Sequence, residues 1–172
     1  QGCWNKDGGK SLRGKLVGIV GYGAVGVQVA HLAKAFGCEI LVNDVVHKET
    51  EVALVGGRQV DLSTLLSESD VVSLHVPLDQ STRDLLHKAN LQEMKTTSIL
   101  INTCRGGVVN EQDLISTLEN RSILGAALDV FELEPDIDND FRSLDNALLT
   151  PHTAGNCLEA IKAMTLGAIQ GD

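Results

Sequence analysis

The sequence has few aromatic residues and few positive charges, and both shortages restrict what this chain can be. Only 3% of its 172 residues are Phe, Trp or Tyr, whereas 43% are hydrophobic, so the core must be aliphatic. Fourteen Lys and Arg residues oppose 23 Asp and Glu residues, which gives a formal net charge of −9. Because no basic run is present either, the charge balance argues against nucleic acid or an anionic membrane surface as a partner.

Long hydrophobic runs and closely paired cysteines are also missing. The least polar stretch, residues 16–30, is too short to cross a bilayer, so we predict no membrane partner. The four cysteines, at positions 3, 38, 104 and 157, are scattered without the spacing of a metal site, so we predict no metal. They could form two disulfides, but with no export signal in the sequence we expect reduced thiols and a cytoplasmic location.

The stretch KLVGIVGYGAVG, residues 15–26, is the most informative part of the sequence. Its apolar run is typical of a buried parallel strand, and apolar residues recur at helical spacing from Val25 to Phe36. Between them lie Gly21, Gly23 and Gly26, in the spacing that permits a tight turn, close approach of a pyrophosphate and close helix–strand packing. The helix N-terminus would offer free N–H groups to the phosphates.

Glycine is common in this chain, so the motif needs support from its context. A second apolar run begins at Glu39 and ends at Asp44, where a carboxylate that binds the adenosine ribose belongs. The alternative is an ordinary βαβ unit with a glycine-rich turn and a solvated Asp44. The context favours a dinucleotide site, and the absence of Lys or Arg directly after Asp44 predicts NAD in preference to NADP.

Strand and helix patterns alternate along the rest of the chain, which predicts a doubly wound parallel sheet (Rossmann) in a three-layer α/β/α arrangement. We expect strands at residues 71–76, 98–102, 125–129 and 147–150, and a brief one at 59–60. Helices are expected at 49–54, 62–67, 85–94, 111–119 and 156–170, with a turn at 105–107 and a long acidic loop over 131–144.

Polar side chains follow several of the predicted strands, where doubly wound folds bind their ligands. These residues are Asp44, His75, Arg105, Asp129 and His152. Arg105 suits a carboxylate, and Glu134 is a candidate to hold and charge His152. Four of these residues have a structural alternative. Arg105 could cap the preceding strand or pair with an acid of residues 131–140, and His75 could be a satisfied histidine beside proline. Glu134 could be a solvated loop acid, and Asp129 could be a helix or turn cap.

Taken together, the motifs resemble those of the D-isomer-specific 2-hydroxyacid dehydrogenases over nearly the whole chain. The matching segments are GYGAVG with Asp44, HVPLDQST, NTCRGGVVNEQDL, LDVFELEP and TPHTAG. Thr153 and Cys157 depart from the residues frequent at their positions, without touching the chemistry. Glu134 stands where the related formate dehydrogenases carry Gln, which argues against formate as the substrate.

The resemblance implies a set of catalytic residues and a set of cofactor-binding residues. The catalytic set is Arg105, Glu134 and His152. The cofactor-binding set is Gly21, Gly23, Ala24, Val25, Gly26, Asp44, His75, Val76, Pro77, Thr82, Thr103, Cys104, Arg105, Asp129, His152, Ala154 and Gly155. The activity implied is hydride transfer between NAD(H) and a small 2-hydroxy or 2-oxo acid, with phosphoglycerate, glycerate, glyoxylate and lactate types all open. A non-catalytic NAD-sensing or interaction module on the same fold is the alternative.

The resemblance also implies a domain division and an assembly. We expect residues 1–14 to be an interdomain connection, 15–155 the NAD-binding domain, and 156–172 a helix leading toward a substrate domain outside this chain. Without that domain, this chain should bind NAD but catalyse weakly or not at all. Members of the family usually pair through this domain, so we expect a homodimer with Trp4 near the interface.

Overall fold

The computed structural model describes residues 9–136, 139–160, 162 and 165, and it shows strands alternating with helices. Most bounds fall within two residues of the predicted ones. The elements in chain order are β1 (Leu16–Val20), α1 (Ala24–Ala35), β2 (Glu39–Asn43), α2 (Glu49–Leu54), β3 (Arg58–Gln59), α3 (Leu62–Glu68), β4 (Val71–Leu74), α4 (Lys88–Leu91), β5 (Ile99–Asn102), α5 (Glu111–Glu119), β6 (Gly125–Leu128), α6 (Asn139–Ser143) and β7 (Ala147–Leu149).

The seven strands form one parallel sheet in the order β3-β2-β1-β4-β5-β6-β7, which confirms the doubly wound prediction. From β1 the chain winds outward in one direction to β3, returns to the centre at β4, and winds outward in the other direction. The carboxyl ends of β1 and β4 therefore flank the point where the winding direction reverses. Ligands of doubly wound sheets bind in the crevice outside that point.

The core lies on both faces of the sheet because the central strands are apolar at nearly every position. Along β1, Val20 belongs to one buried cluster and Ile19 to the other, since successive side chains point to opposite faces. The larger cluster also holds the fully buried Phe141. Packing of these two clusters against the sheet holds the strands, and therefore the polar residues at their ends, in position.

Helix α1 confirms the predicted helix, and its buried residues are small. Gly26 and Ala30 are its buried residues, with Val29 partly buried beside them. Leu32 and Phe36 are instead 62% and 64% exposed. The small residues face the sheet because the glycine turn brings the helix close to β1, and the bulky residues are left on the outer side.

Three other predictions differ from the structure. Strand β4 ends at Leu74, so His75 and Val76 lie just beyond it. The predicted helix over 85–94 is reduced to α4, because Leu86 forms an isolated parallel bridge with Val109. The acidic stretch 131–144 is not all loop: it contains α6, which buries Phe141 against Phe131 with ring centroids 6.1 Å apart.

Some predictions fall partly or wholly outside the described residues. Trp4 and Cys3 lie outside them, as does most of the predicted helix over 156–170, of which residues 158–160 are helical. Cys38, Cys104 and Cys157 are free thiols. Among the described residues, no helix is long and apolar enough to cross a membrane.

Candidate functional site

Three neighbouring clefts follow the carboxyl edge of the sheet. A groove of about 310 Å³ is lined by Gly21, Gly23 and Asp44, and it shares residues 75–77 with a second cleft of about 560 Å³. The second cleft shares Leu78 and Arg105 with a third of about 470 Å³. The three adjoining clefts extend from the glycine turn to His152, so one elongated ligand could lie along them.

The glycine turn fits a dinucleotide pyrophosphate by three independent observations. Gly21 has φ +93°, and a Cβ there would lie 2.5 Å from the carbonyl oxygen of His75. A Cβ at Gly26 would lie 2.1 Å from the carbonyl oxygen of Gly21, so the helix can approach the turn only with glycine there. A Cβ at Gly23 would meet nothing within 4 Å, which leaves the backbone open to a ligand.

The N-terminus of α1 adds a further feature to this turn. Gly23 is its N-cap, and no side chain of the described residues caps it. Its first N–H groups and the positive end of the helix dipole are therefore available to phosphate. The residues present fit the NAD that this fold family implies.

Asp44 lies at the end of β2 beside the glycine turn. Its Oδ2 accepts a hydrogen bond from the Tyr22 N–H at 2.7 Å, and its Oδ1 accepts one from the Val46 N–H at 2.8 Å. The carboxylate is thus fixed to the turn on one side and to its own loop on the other. One face of it lines the 310 Å³ groove, where a ribose hydroxyl could reach it.

The middle cleft is walled by His75, Cys104 and Arg105. Burial lowers the pKa of His75, and its Nε2 lies 2.9 Å from the Ser73 hydroxyl, so it is a neutral, satisfied histidine. Burial raises the pKa of the Cys104 thiol, which donates to Asn102 Oδ1 at 3.1 Å. Neither residue is therefore a nucleophile, and both shape the cleft by packing.

Asn102, at the end of β5, orders the turn that carries Arg105. Its side-chain amide donates to the Arg105 carbonyl at 3.0 Å, and its oxygen accepts from the Cys104 N–H at 3.1 Å. Arg105 is exposed, and its Nη1 donates to the Cys104 carbonyl at 2.6 Å. The turn itself continues as a single 3₁₀ turn, Gly106–Val108. The guanidinium therefore lies on the wall that the second and third clefts share.

The third cleft contains an imidazole–carboxylate pair. His152 Nδ1 lies 2.7 Å from Glu134 Oε2, and Glu134 Oε1 accepts from the Phe131 N–H at 2.9 Å. Hydrogen bonds from His152 and from the Phe131 N–H lower the pKa of Glu134, so the carboxylate is ionised near neutral pH. Because Nδ1 is held, the opposite nitrogen, Nε2, is the one that can exchange a proton with a ligand.

Asp129 holds the turn on which His152 sits. It is only 4% exposed, and its Oδ1 accepts from the Thr150 hydroxyl at 2.5 Å and the Thr153 N–H at 2.9 Å. Its Oδ2 accepts from the Ala154 N–H at 2.8 Å. His152 has φ +53°, a conformation uncommon for a non-glycine residue, which these bonds on both sides stabilise.

The bonds of Asp129 bear on its protonation and on its predicted role. Burial by itself would raise its pKa, but the hydrogen bonds from Thr150, Thr153 and Ala154 outweigh burial, and the net shift is downward. The turn-cap alternative is therefore what the structure shows for Asp129. Its contact with the nicotinamide half of NAD stays a prediction.

Most of the predicted site residues line the three clefts. Gly21, Gly23, Asp44, His75, Val76, Pro77 and Thr82 line the first; Val25, Thr103, Cys104 and Arg105 line the second; Glu134 and His152 line the third. Ala24, Gly26, Asp129, Ala154 and Gly155 lie outside these linings. Sequence analysis missed Asn102 and Thr150. Asn102 is the last residue of β5 and Thr150 directly follows β7, so their position as polar residues at strand ends is the signal that could have found them.

The described residues contain no group of three or more His, Cys, Asp or Glu side chains that could hold a metal ion. The polar groups of the clefts are instead a guanidinium, an imidazole–carboxylate pair and an isolated carboxylate beside a glycine turn. Together with the sheet order, they define a dinucleotide-binding domain with acid–base groups at one end of its ligand groove.

The family description "D-isomer specific 2-hydroxyacid dehydrogenase, NAD binding domain" matches residues 1–154. The chain belongs to this family, and NAD is its cofactor. The chain is 39% identical over 175 aligned residues to the hydroxypyruvate reductase of Thermotoga maritima, and the match covers 99% of this chain and 56% of that protein. The chain spans about half the length of the curated relatives it matches.

Solved structures give the same grouping. A glyoxylate reductase from Paecilomyes thermophila superposes with a TM-score of 0.86 at 34% identity, covering 94% of this chain and 49% of that one. A D-lactate dehydrogenase with NAD⁺ from Lactobacillus jensenii superposes with a TM-score of 0.83 at 29% identity, covering 94% and 52%. The resemblance predicted from the motifs is therefore confirmed as family membership.

Proposed function

We propose that this chain is the cofactor-binding half of a dehydrogenase that interconverts a small 2-oxo acid and its D-2-hydroxy acid. The observation that carries the proposal is the His152–Glu134 pair in the cleft next to Arg105, at the end of a ligand groove that begins at the glycine turn. A cofactor site alone requires no proton donor. The names of the relatives, hydroxypyruvate reductase, glyoxylate reductase and D-lactate dehydrogenase, point to the same substrate class.

In the proposed reaction, bound NADH supplies a hydride and NAD⁺ accepts one. The chain's own residues bind the acid and move the proton. Arg105 pairs with the substrate carboxylate and orients the neighbouring carbonyl. His152, held through Nδ1 by Glu134, donates a proton from Nε2 to the carbonyl oxygen during reduction. In oxidation the neutral ring takes the hydroxyl proton back.

The rival proposal is a non-catalytic NAD sensor on the same fold, since one fold can carry either function. Turnover discriminates between the two. A longer protein that carries a substrate domain should oxidise NADH with at least one of glyoxylate, hydroxypyruvate, phosphohydroxypyruvate or pyruvate. NADH binding with no turnover of any 2-oxo acid in that protein would favour the sensor.

Replacing Glu134 by Gln in the two-domain protein should move the pH dependence of 2-oxo acid reduction. The proposed donor is the charged imidazole, and a neutral amide at this position could not stabilise its charge as the carboxylate does. Reduction should then fail at a lower pH than in the parent, whereas oxidation should persist to lower pH. The measurement is kcat/KM against pH in both directions. An unchanged profile would remove Glu134 from the mechanism, and Glu119→Gln, a substitution at an exposed acid at the end of α5 that lines none of the three clefts, is the matched control.

The chain should prefer NADH to NADPH by at least about 100-fold, because Asp44 would face a 2′-phosphate with a like charge. Val45, Val46 and His47 follow Asp44, and the next Lys or Arg along the chain, Lys48, has its Nζ 3.8 Å from Glu51 Oε1. Calorimetric titration with both cofactors measures the ratio, and Asp44→Asn should narrow it. Equal or tighter NADPH binding would refute the prediction.

We further propose the division of the chain into a connection at residues 1–14, an NAD-binding domain at 15–155 and a segment 156–172 leading toward a substrate domain. We also propose a homodimer in the cytoplasm. The exposed apolar residues Leu32 and Phe36 on the outer face of α1 support pairing, since such groups are commonly covered in an assembly. Light scattering that finds a monomer at high micromolar concentration would count against the dimer.

A further inference from the structure

Gln59 lies on β3, the edge strand next to the ribose-binding strand β2. Its backbone is in register with Val42, so its side chain starts two residues short of Asp44 on the neighbouring strand. The side chain is half-buried, and it reaches over the end of β2 to the loop of residues 44–48. The sequence analysis assigned no role to it.

This single side chain makes three hydrogen bonds to the backbone of that loop. Its Nε2 donates to the carbonyl of Asp44 at 3.2 Å and to the carbonyl of Val46 at 2.9 Å. Its Oε1 accepts from the N–H of Lys48 at 2.6 Å. Both ends of the amide are therefore used, and all three partners belong to one five-residue segment.

The other contacts of this loop include the bonds of the Asp44 carboxylate to Tyr22 and Val46 and an ion pair of Lys48 with Glu51 at 3.8 Å. Val45 is fully exposed and Val46 is 54% exposed, so neither anchors the loop in the core. Lys48 is the N-cap of α2 and makes no side-chain capping bond within the described part of the chain. The Lys48 N–H to Gln59 contact thus also fixes where α2 begins.

The bonds of Gln59 connect to the Asp44 carboxylate. The Val46 N–H, which belongs to the braced loop, donates to Asp44 Oδ1, and Asp44 Oδ2 accepts from Tyr22 in the glycine turn. A continuous set of hydrogen bonds therefore joins edge strand β3, the loop, the carboxylate and the turn. If the loop shifts, the carboxylate loses one of its two supports.

We propose that Gln59 is a positioning residue for the adenosine half of NAD and, through Asp44, a determinant of the preference for NAD over NADP. The inference rests on the proposed function, in which Asp44 binds the ribose. Gln59 itself does not touch the cofactor. It restricts the loop, so the carboxylate is already oriented before the ribose arrives and less freedom is lost on binding.

The test uses the 172-residue chain and its Gln59→Leu variant, with binding measured by calorimetry. The dissociation constant of NADH should rise by about tenfold, because the loss of hydrogen bonds that order the loop should cost about 1.4 kcal/mol of binding free energy. ADP-ribose, which carries only the adenosine half, should weaken by the same factor, whereas nicotinamide mononucleotide should not. NADPH should weaken less than NADH, so that the ratio of their dissociation constants narrows by about threefold or more.

Two further variants keep the test interpretable. Gln59→Met keeps the length of the side chain, adds no charge and loses all three hydrogen bonds, so it should weaken NADH binding as Gln59→Leu does and replaces that variant if Gln59→Leu fails to fold. Arg58→Ala changes the adjacent residue, whose guanidinium pairs with Glu68 at 3.0 Å on the exposed side, and should leave all four affinities unchanged. Unchanged NADH binding in both Gln59 variants would overturn the proposal, as would an equal loss for NADH, NADPH and nicotinamide mononucleotide.

Hydrogen exchange on the parent chain tests, without any substitution, whether hydrogen bonds hold the loop of residues 44–48 in place. The amides of Val46 and Lys48, which are bonded to side chains, should exchange at least about tenfold more slowly than those of Val45 and His47 in the same loop. Equal and rapid exchange of all four would also overturn the proposal. A parent chain that fails to bind NADH would instead refute the proposed function, so the two failures are distinguishable.

Discussion

Replacing His152 by Gln is expected to lower kcat for 2-oxo acid reduction by roughly 100- to 10,000-fold, the contribution typical of a positioned general acid. Glutamine keeps a polar group in the cleft but cannot deliver a proton as imidazolium does. The variant belongs in a protein that carries both domains, where turnover is expected. Glu134 lies on the Nδ1 side of the ring, opposite the proposed donor Nε2, so we expect that its carboxylate does not take over the proton transfer.

Binding must be measured together with rate for this variant. NADH affinity should stay within about twofold, since the glycine turn and Asp44 are untouched. His31→Gln is the matched control, because His31 is exposed on α1 and away from the clefts, and it should retain full activity. A His152→Gln variant that turns over at the parental rate would mean that the proton comes from elsewhere.

Substitutions at two glycines of the same turn are both expected to weaken NADH binding, but only one of them should also destabilise the fold. Gly26→Ala places a Cβ 2.1 Å from the carbonyl oxygen of Gly21, so the helix must move away from the turn. We expect it to lower the free energy of unfolding by about 1–3 kcal/mol, as overpacking does, and to weaken NADH binding as well. Both losses would follow from the clash between the new methyl group and the glycine turn.

Gly23→Ala should instead leave the fold intact and weaken only the binding of NADH. Its Cβ would meet no protein atom within 4 Å, and φ −84° is allowed for alanine, so the melting temperature should stay within about 2 °C. The methyl group occupies the space through which the pyrophosphate approaches, and loss of those charge-assisted hydrogen bonds should weaken NADH by about tenfold or more.

The pair is measured by thermal unfolding and by NADH titration of the same preparations. Loss of binding with an unchanged melting temperature in Gly23→Ala, and loss of both in Gly26→Ala, would assign the two glycines to ligand approach and to helix packing respectively. Undiminished NADH binding by Gly23→Ala would place the pyrophosphate away from this turn.

The strands and most helices could be predicted because their signals are local. Asp61 and Asn110 cap α3 and α5 by accepting from the Thr64 and Asp113 N–H groups, and an Asp or Asn at the start of a helix is such a local signal. The helix predicted over residues 85–94 failed for a non-local reason. Leu86 pairs with Val109, more than 20 residues away, and that contact replaces the first helical turns.

The residues of the candidate site could be predicted from the sequence, but the residues that hold them in position could not. The motifs named Arg105, Glu134 and His152, and all three line one cleft. Which groups hold them is decided by contacts between distant segments: Asp129 clamps the 150–154 turn, and Gln59 braces the Asp44 loop. No spacing in the sequence indicates such bonds, because the partners meet only after the sheet has formed.

The outer face of α1 illustrates a second limit. A repeat of apolar residues from Val25 to Phe36 predicted the helix correctly but did not identify its buried face. Periodicity detects an apolar stripe but does not say what covers it. Here the small residues Gly26 and Ala30 contact the sheet, and the bulky residues remain exposed for another surface.

The most direct measurement compares NADH binding and NADH oxidation by this chain with the same two quantities for a protein that adds the substrate domain. The 172-residue chain should bind NADH, because the turn, Asp44 and the middle cleft are all within it. It should oxidise NADH with 2-oxo acids at least about 1,000-fold more slowly than the two-domain protein, since Arg105 and His152 face solvent and the acid is not held near the cofactor. Comparable turnover by this chain alone, or no NADH binding, would contradict the assignment of its clefts.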